Sequence, residues 1–431
     1  MQENAGQITG KRAVLFTNDM WSSALSEIRL KAPLQACGFA VEQGNDYDRL
    51  LVKDLSTVDF VVIQRDFPLY LDNFFHVLEQ VREHNLPLVY EIDDNLFDLP
   101  ADHPDQQRGC YSSRFAPMLA AISAANVVTT STEPLAEFLR AFHSNVQVLP
   151  NCLIDEFWRM YPAQRKEERE EVVVGYIGGT THAADLKMIA GALSSIGRQY
   201  GGKIKFKFFG ARPPGEILGH PKVEWQPVIA AYREYAAAFQ NQDMDILVAP
   251  LVDNSFSRAK SHVKFLEYST LGAPGIYSNV TPYNGIVAHG ENGFLASTTD
   301  EWIEYLQKLI SSPDLRYRAG QNAQDTVRRG WLLSDRAGIW LETYNTALAG
   351  MTTPAYPANR NEALRKILST QINQINRLLE REKHLAEMER LLNEKERALH
   401  EMLNSTSWKI TDPLRRLTDG MRKIKNNLIR R

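Results

Sequence analysis

The stretch PLVDNSFSRAKSHVKFLEYSTLGAPGIYSNVTPY, residues 250–283, decides how this chain is read. It opens where an apolar run, DILVAP, ends as a buried strand would. Two lysines follow four residues apart, Lys260 and Lys264, and an acid, Glu267, comes three residues later. Residues three or four apart share a helix face, so one helix would carry both cations and the carboxylate. Gly272 and Pro274 stop that helix, and GIYS begins a new strand. Cations suit a diphosphate, and a carboxylate accepts hydrogen bonds from sugar hydroxyls. A nucleotide-sugar contains both.

Outward from this stretch, apolar strands alternate with helical segments. In the first half RAVLFTN (12–18), GFAVEQ, LSTVDFVVIQ (55–64), PLVYEIDD (87–94), VVTTST (127–132) and VQVLPN (146–151) read as strands. Helices are expected around Leu25 to Cys37, Phe74 to His84, Met118 to Ala125 and Pro134 to Phe142. A charged run, AQRKEEREE (163–171), reads as a linker, and the pattern then restarts with EVVVGYIGGTTHAADLKM. KIKFKFFG (203–210), VEWQPV, MDILVAP (244–250), GIYS and ENGFLAS continue it, and helices fill 302–348. Continuous apolar strands separated by helices predict parallel sheets covered on both faces. The expected architecture is α/β: two doubly wound, Rossmann-like domains, residues 1–165 and 166–350, facing across a cleft. Ligands of such sheets bind beyond the carboxyl ends of the strands, and the interdomain cleft is the default site.

Several residues fall at such ends. Gly178 and Gly179 permit a tight turn and close backbone approach. Thr180 or Thr181 would cap the helix that follows, whose N-terminus favours an anion. Asp93 and Asp94 end a strand, where they either form a turn or cap, or face an acceptor or cation. His103 and His182 are either structural or bases near neutral pH.

Composition bounds the alternatives. At 431 residues the chain is too long for one ordinary core. Its 49 basic and 52 acidic side chains nearly balance, so no global electrostatic case exists for nucleic-acid binding. Three scattered cysteines form neither a metal spacing nor a disulfide framework. No apolar run spans a membrane, and MQENAGQITGKR lacks the apolar core of a signal peptide. A cytoplasmic protein is expected.

The order of motifs also resembles a known family. A Gly-Gly turn, a strand ending in AP, KSHVKFLEYSTLGAPGIYS, TPY and HGENGFL look like the second domain of group 1 (family 4-like) glycosyltransferases of the GT-B fold. VYEIDDNLFDLP and VLPNCLIDEFW look like members found in bacterial surface-polysaccharide gene sets. The resemblance covers roughly residues 12 to 348. It implies a glycosyltransferase that uses a UDP-, GDP- or dTDP-linked sugar and acts on a glycan or lipid-linked acceptor, with no cofactor or metal required. Glu267 matches the acid that holds the nucleotide ribose. Gly178, Gly179 and Thr180 match the turn facing the donor diphosphate, and Lys260 and Lys264 lie where phosphate cations are useful. Asp93, Asp94 and His182 are the catalytic candidates. One departure matters: many members carry a second glutamate eight positions before the first, where this chain has Ala259. A non-catalytic nucleotide-sugar-binding or scaffolding protein is therefore an alternative, and a nucleotide-sugar epimerase is another.

Beyond a linker at 351–361, residues 362–404 hold no Gly or Pro. Leu364, Leu378, Leu385, Leu392 and Leu399 fall on one seven-residue repeat, but Glu382, Glu389 and Glu396 occupy companion positions. A coiled coil needs two apolar positions per heptad, so a long helix is expected, either solvated or pairing with itself or a partner helix. Residues 405–431 form a basic tail: from Lys409 on, eight basic and two acidic residues are interleaved with Ile410, Leu414, Leu417 and Met421. Such a segment suits an anionic membrane surface, here the inner face of the cytoplasmic membrane.

Overall fold

The computed structural model describes residues 10–165, 171–349 and 360–405. The first domain runs β1 (Arg12–Phe16), β2 (Ala40–Gln43), β3 (Asn45–Asp46), β4 (Arg49–Leu50), β5 (Phe60–Gln64), β6 (Leu88–Glu91), β7 (Val127–Thr130) and β8 (Val146–Val148). Six of these form a sheet in the order β2-β1-β5-β6-β7-β8, paired in parallel throughout. The remaining two, β3 and β4, make a small antiparallel hairpin. The second domain contains β9 (Val172–Gly178), β10 (Ile204–Gly210), β11 (Val223–Gln226), β12 (Ile246–Ala249), β13 (Gly275–Ser278) and β14 (Phe294–Ala296). Its sheet is again parallel, ordered β11-β10-β9-β12-β13-β14. The two doubly wound α/β domains expected from the strand pattern are present.

The composition of the central strands explains this. FVVIQ of β5 is buried at every position, as is VVVGYI of β9. Strands with no polar face must be covered on both sides. The first sheet has one core around Phe67, Phe74, Tyr90 and Met118 and another around Leu30, Phe39, Phe60 and Val62. The second sheet likewise has a core on each face.

The helix Leu333–Ala349 was grouped by sequence with the second domain. Its residues Trp340 and Tyr344 instead pack into the core of the first sheet, with Tyr344 against Phe39 and Phe60. The chain thus returns to its starting domain, and the helix ties the two together. The helix around Leu25 also carries an unforeseen feature: Glu27–Lys31 is wound as a π-helix between Ala24–Ser26 and Ala32–Ala36. An extra residue in the turn re-aims side chains, and Arg29 in this turn is fully buried.

The chain divides into two compact units, residues 1–369 and 370–431. The helix Arg360–Asn404 begins in the first, where Leu368 is buried and Arg365 pairs with Asp72. In the second unit Leu378, Leu385, Leu392 and Leu399 are exposed. Among the described residues no helix is long and apolar enough to cross a membrane. The basic tail lies outside the described residues, as does most of the linker.

If Trp340 anchors the returning helix, Trp340→Ala loses a fully buried indole. We expect destabilisation of about 3–5 kcal/mol by urea unfolding, and a surface-like loss under about 0.5 kcal/mol would contradict the packing.

Candidate functional site

The carboxyl edges of the two sheets meet at a cavity of about 190 Å³. Asp94 and Arg29 of the first domain line it opposite Lys260, Lys264, Glu267 and His182 of the second. A smaller space of about 100 Å³ adjoins it, and Lys260, His182 and Leu251 line both. A larger cavity of about 400 Å³ lies among Gln240, Asp245, Gly272 and Pro313. Gln240 and Asp245 precede β12 and Gly272 precedes β13, so this cavity lies at the amino edge of the sheet, opposite the carboxyl edge where ligands of doubly wound folds bind.

Glu267 lies on the helix Val263–Ser269 and is buried. Tyr232 donates to one carboxylate oxygen and Tyr235 to the other, each at 3.1 Å. The Trp158 indole donates to the Tyr232 hydroxyl at 3.0 Å and fixes it. Burial pushes the Glu267 carboxyl up to about 7, against the pull of the two hydroxyls and Lys264. The tyrosines were not singled out from sequence, although YREY places them at i and i+3 on one helix face.

Lys264 lies one turn before Glu267 on the same helix. Its ammonium is 3.2 Å from the Tyr176 hydroxyl, and burial brings its pKa down to about 8. Gly178 ends β9 beside it: a Cβ there would stand 2.9 Å from Lys264 Cε and 2.6 Å from the Tyr176 hydroxyl. A side chain there would push the ends of Lys264 and Tyr176 aside. Gly210 on the neighbouring strand, at φ +94°, is more tightly constrained, since its Cβ would meet the Gly178 backbone carbonyl oxygen at 2.0 Å. Gly179 faces open space.

The expected threonine cap is not formed. Thr180 and Thr181 are exposed, and the helix Ala183–Tyr200 starts after His182, which makes no side-chain cap bond. His182 Nδ1 instead lies 2.6 Å from Asp185 Oδ2, while Asp185 Oδ1 accepts from the Val252 amide at 2.8 Å. Burial, reinforced by Lys264, lowers the His182 pKa to about 4, so the ring is neutral at pH 7.

Nor is Lys260 on the helix that carries Glu267. One short helix, Ser255–Arg258, capped by Asn254, ends before it, and the next begins at Val263. The first domain takes the intervening residues. Thr132 donates to the Ala259 carbonyl at 2.6 Å, Asn151 donates to Ser261 at 2.7 Å, and Lys260 reaches both oxygens of Asp94 at 3.2 Å. Serine-rich sequence competes poorly as helix, and these bonds hold the break. Against the cost of burial, Lys260 and then Arg65 hold Asp94 below its ordinary value. Asp93, 3.8 Å from Arg65, goes the other way: burial raises it to about 6. His103 caps the short helix Pro104–Gln107 by accepting from the Asp105 amide.

Arg29 was missed. Its Nε donates to Glu91 at 2.7 Å and its Nη1 to Asn151 at 2.8 Å and to the Leu149 carbonyl. An arginine between Ile28 and Leu30, both buried, was the available signal.

Residues 190–342 match the family described as glycosyl transferase-like. Among solved structures, a sucrose-phosphate synthase from Thermosynechococcus elongatus aligns over 79% of this chain and 100% of its own, at 13% identity and a TM-score of 0.58. HepE from Anabaena in complex with UDP-glucose aligns over 79% and 100%, at 15% identity and a TM-score of 0.54. WaaG, a glycosyltransferase involved in lipopolysaccharide biosynthesis, aligns over 79% and 100%, at 12% identity and a TM-score of 0.52. The chain has the GT-B fold. No curated protein sequence matches it closely. The segment that matches the family holds Lys260, Lys264 and Glu267, whereas the Gly178–Gly179 turn precedes it. In this GT-B chain the cleft is lined from both domains.

A carboxyl raised in the folded state binds its proton more tightly there than in the unfolded chain. Its burial therefore costs stability as pH rises from about 4.5 to about 7, and no more above that. Glu267→Gln removes the titration. We expect the variant's stability relative to wild type to climb across this window by on the order of 3 kcal/mol in urea unfolding. A pH-independent difference would show that Glu267 is not buried as described.

Proposed function

We propose that this chain transfers a glycosyl group from a nucleotide-sugar to a glycan or lipid-linked acceptor in bacterial surface-polysaccharide synthesis. The observation that carries the reading is Glu267. It is a carboxylate at the carboxyl edge of the second sheet with both oxygens pre-positioned by tyrosines, one helical turn from Lys264. Such a group is built to accept a pair of vicinal hydroxyls, as on ribose. Lys264, the Gly178–Gly179 turn with Thr180, and the start of the helix Ala183–Tyr200 then face the diphosphate. The names of two fold neighbours, one bound to UDP-glucose and one involved in lipopolysaccharide biosynthesis, agree with this class of donor and acceptor.

In the reaction the bond between the sugar C1 and the phosphate oxygen breaks, and its electron pair leaves with the nucleoside diphosphate. An acceptor hydroxyl oxygen bonds to C1 and gives up its proton. Lys264 and Lys260 offset the charge developing on the leaving phosphate, a contribution of several kcal/mol in such sites. Lys260 must first leave Asp94. That exchange couples donor binding to release of a carboxylate on the acceptor side, and Asp94, next to Asp93, is then placed to take the proton. Neutral His182, held through Nδ1 by Asp185, offers Nε2 as an acceptor to a sugar hydroxyl.

A second reading, donor binding without transfer, is favoured by Ala259. It is buried, its carbonyl is bound to Thr132, and it supplies no carboxylate where many relatives have one. The exposed leucines after Thr370 and the basic tail extend the main reading to self-association and to attachment on an anionic membrane from the cytoplasmic side.

The ion pair gives a direct test. Asp94→Asn frees Lys260, so we expect it to tighten nucleoside diphosphate binding about threefold or more while cutting transfer by on the order of 10²-fold or more. Lys260→Ala should weaken binding about tenfold, equivalent to about 1.4 kcal/mol. Calorimetry with UDP, GDP and dTDP, together with a transfer assay on the matching sugars, measures both. Weaker nucleotide binding in Asp94→Asn would exclude the exchange, and donor binding with no transfer to any acceptor would favour the second reading.

A further inference from the structure

A second concavity lies across the loop that follows β1. Ala24 and Leu25 line the cleft cavity, whereas Asp19, Trp21 and Ser22 line an open groove of about 420 Å³. The far wall of the groove is the hairpin β3–β4. The groove therefore adjoins the cleft on the first domain, at the carboxyl ends of β1 and β2.

The hairpin is built to hold one aromatic side chain in the open. Asn45 pairs with Leu50 and Asp46 with Arg49, which leaves Tyr47 and Asp48 as a two-residue turn. Tyr47 has φ +51°. A turn with positive φ at its first central position favours glycine, and a bulky residue there is an outlier. Buried Asn45 enforces the conformation: it accepts from the Thr17 amide at 2.9 Å and donates to the Thr17 and Tyr47 carbonyls at 2.8 Å each. The strained residue gains no burial, since Tyr47 is 57% exposed. Strain retained around an exposed aromatic points to a use for that ring.

Its surroundings indicate the ligand. Met20 and Leu51 are also exposed, so the groove has an apolar floor. Two carboxylates, Asp19 and Asp46, line it, with Arg49 3.1 Å from Asp46. A pyranose presents axial C–H bonds on its face and hydroxyls around its edge. The face suits an aromatic ring and the edge suits carboxylates. Each carboxylate faces an arginine, Asp46 with Arg49 and Asp19 with Arg65 at 3.9 Å, so neither arginine is left as an unpaired cation for a phosphate.

We propose that this groove binds a pyranose of the acceptor glycan beyond the sugar that reacts, with Tyr47 as the stacking platform. The inference rests on the glycosyl-transfer reading above and makes the acceptor a chain of several sugars. The turn geometry supplies a clean variant. Tyr47→Gly removes the ring and relieves the backbone, so its thermal midpoint should match or exceed that of wild type. Saturation-transfer NMR with maltotetraose, chitotetraose and mannotetraose should show transfer from wild type to at least one of them. That signal should fall at least fivefold in Tyr47→Gly. No transfer to any tetrasaccharide in wild type, or equal transfer in the variant, overturns the proposal. UDP, GDP and dTDP binding is measured on the same samples. Nucleotide binding without saccharide binding overturns the groove alone, and saccharide binding without nucleotide binding overturns the donor site alone.

Discussion

A carboxylate taken out of water must be paired, hydrogen-bonded or protonated, and Glu267 is the group on which this constraint falls hardest. The second domain answers it with two tyrosine hydroxyls, a tryptophan behind one of them and a lysine one turn away. The rest of the cleft follows from that arrangement. The helix Val263–Ser269 must enter at the carboxyl edge of the sheet, and the helix Tyr232–Gln240 must turn its tyrosines inward. Gly178 leaves space beside it for the end of Lys264. The donors leave each carboxylate oxygen with unused acceptor capacity, and that capacity makes the site receptive to hydroxyl groups.

The three residues 259–261 carry the other half of the design. Each bonds to a different element of the first domain, through Thr132, Asp94 and Asn151. The returning helix with Trp340 and Tyr344 ties the two domains again at a distance from the cleft. Of these ties, the Lys260–Asp94 pair consists of groups that a ligand can compete for. On the proposed reading, this is the pair that a bound diphosphate would displace.

The sheets were legible because their strands are apolar without interruption, as in FVVIQ and VVVGYI, a pattern that only a doubly covered parallel sheet satisfies. Glu267 and Lys264 were legible as neighbours because one helix turn joins them. Lys260 was not, because its backbone is decided by Thr132 and Asn151, which lie 127 and 110 residues from the groups they bind. The destination of the helix Leu333–Ala349 was hidden for the same kind of reason: an apolar face through Trp340 and Tyr344 fits either sheet. Thr180 and Thr181 have the chemistry of a cap, but His182 pairs with Asp185 and the helix starts one residue beyond them. Tyr47 carries no one-dimensional signal, since its positive φ arises from Asn45 and a backbone contact to Thr17.

The central claim is that the cleft holds a nucleoside diphosphate, with the ribose on Glu267 and the phosphates at Lys264 and the Gly178–Gly179 turn. The most direct measurement is a crystal structure of the full chain grown with whichever of UDP, GDP or dTDP binds in calorimetry. The account predicts both ribose hydroxyls within hydrogen-bond distance of the Glu267 carboxylate, with Lys260 turned from Asp94 to a phosphate. A nucleotide bound elsewhere, or one in the cleft with Glu267 still engaged only by Tyr232 and Tyr235, would contradict it.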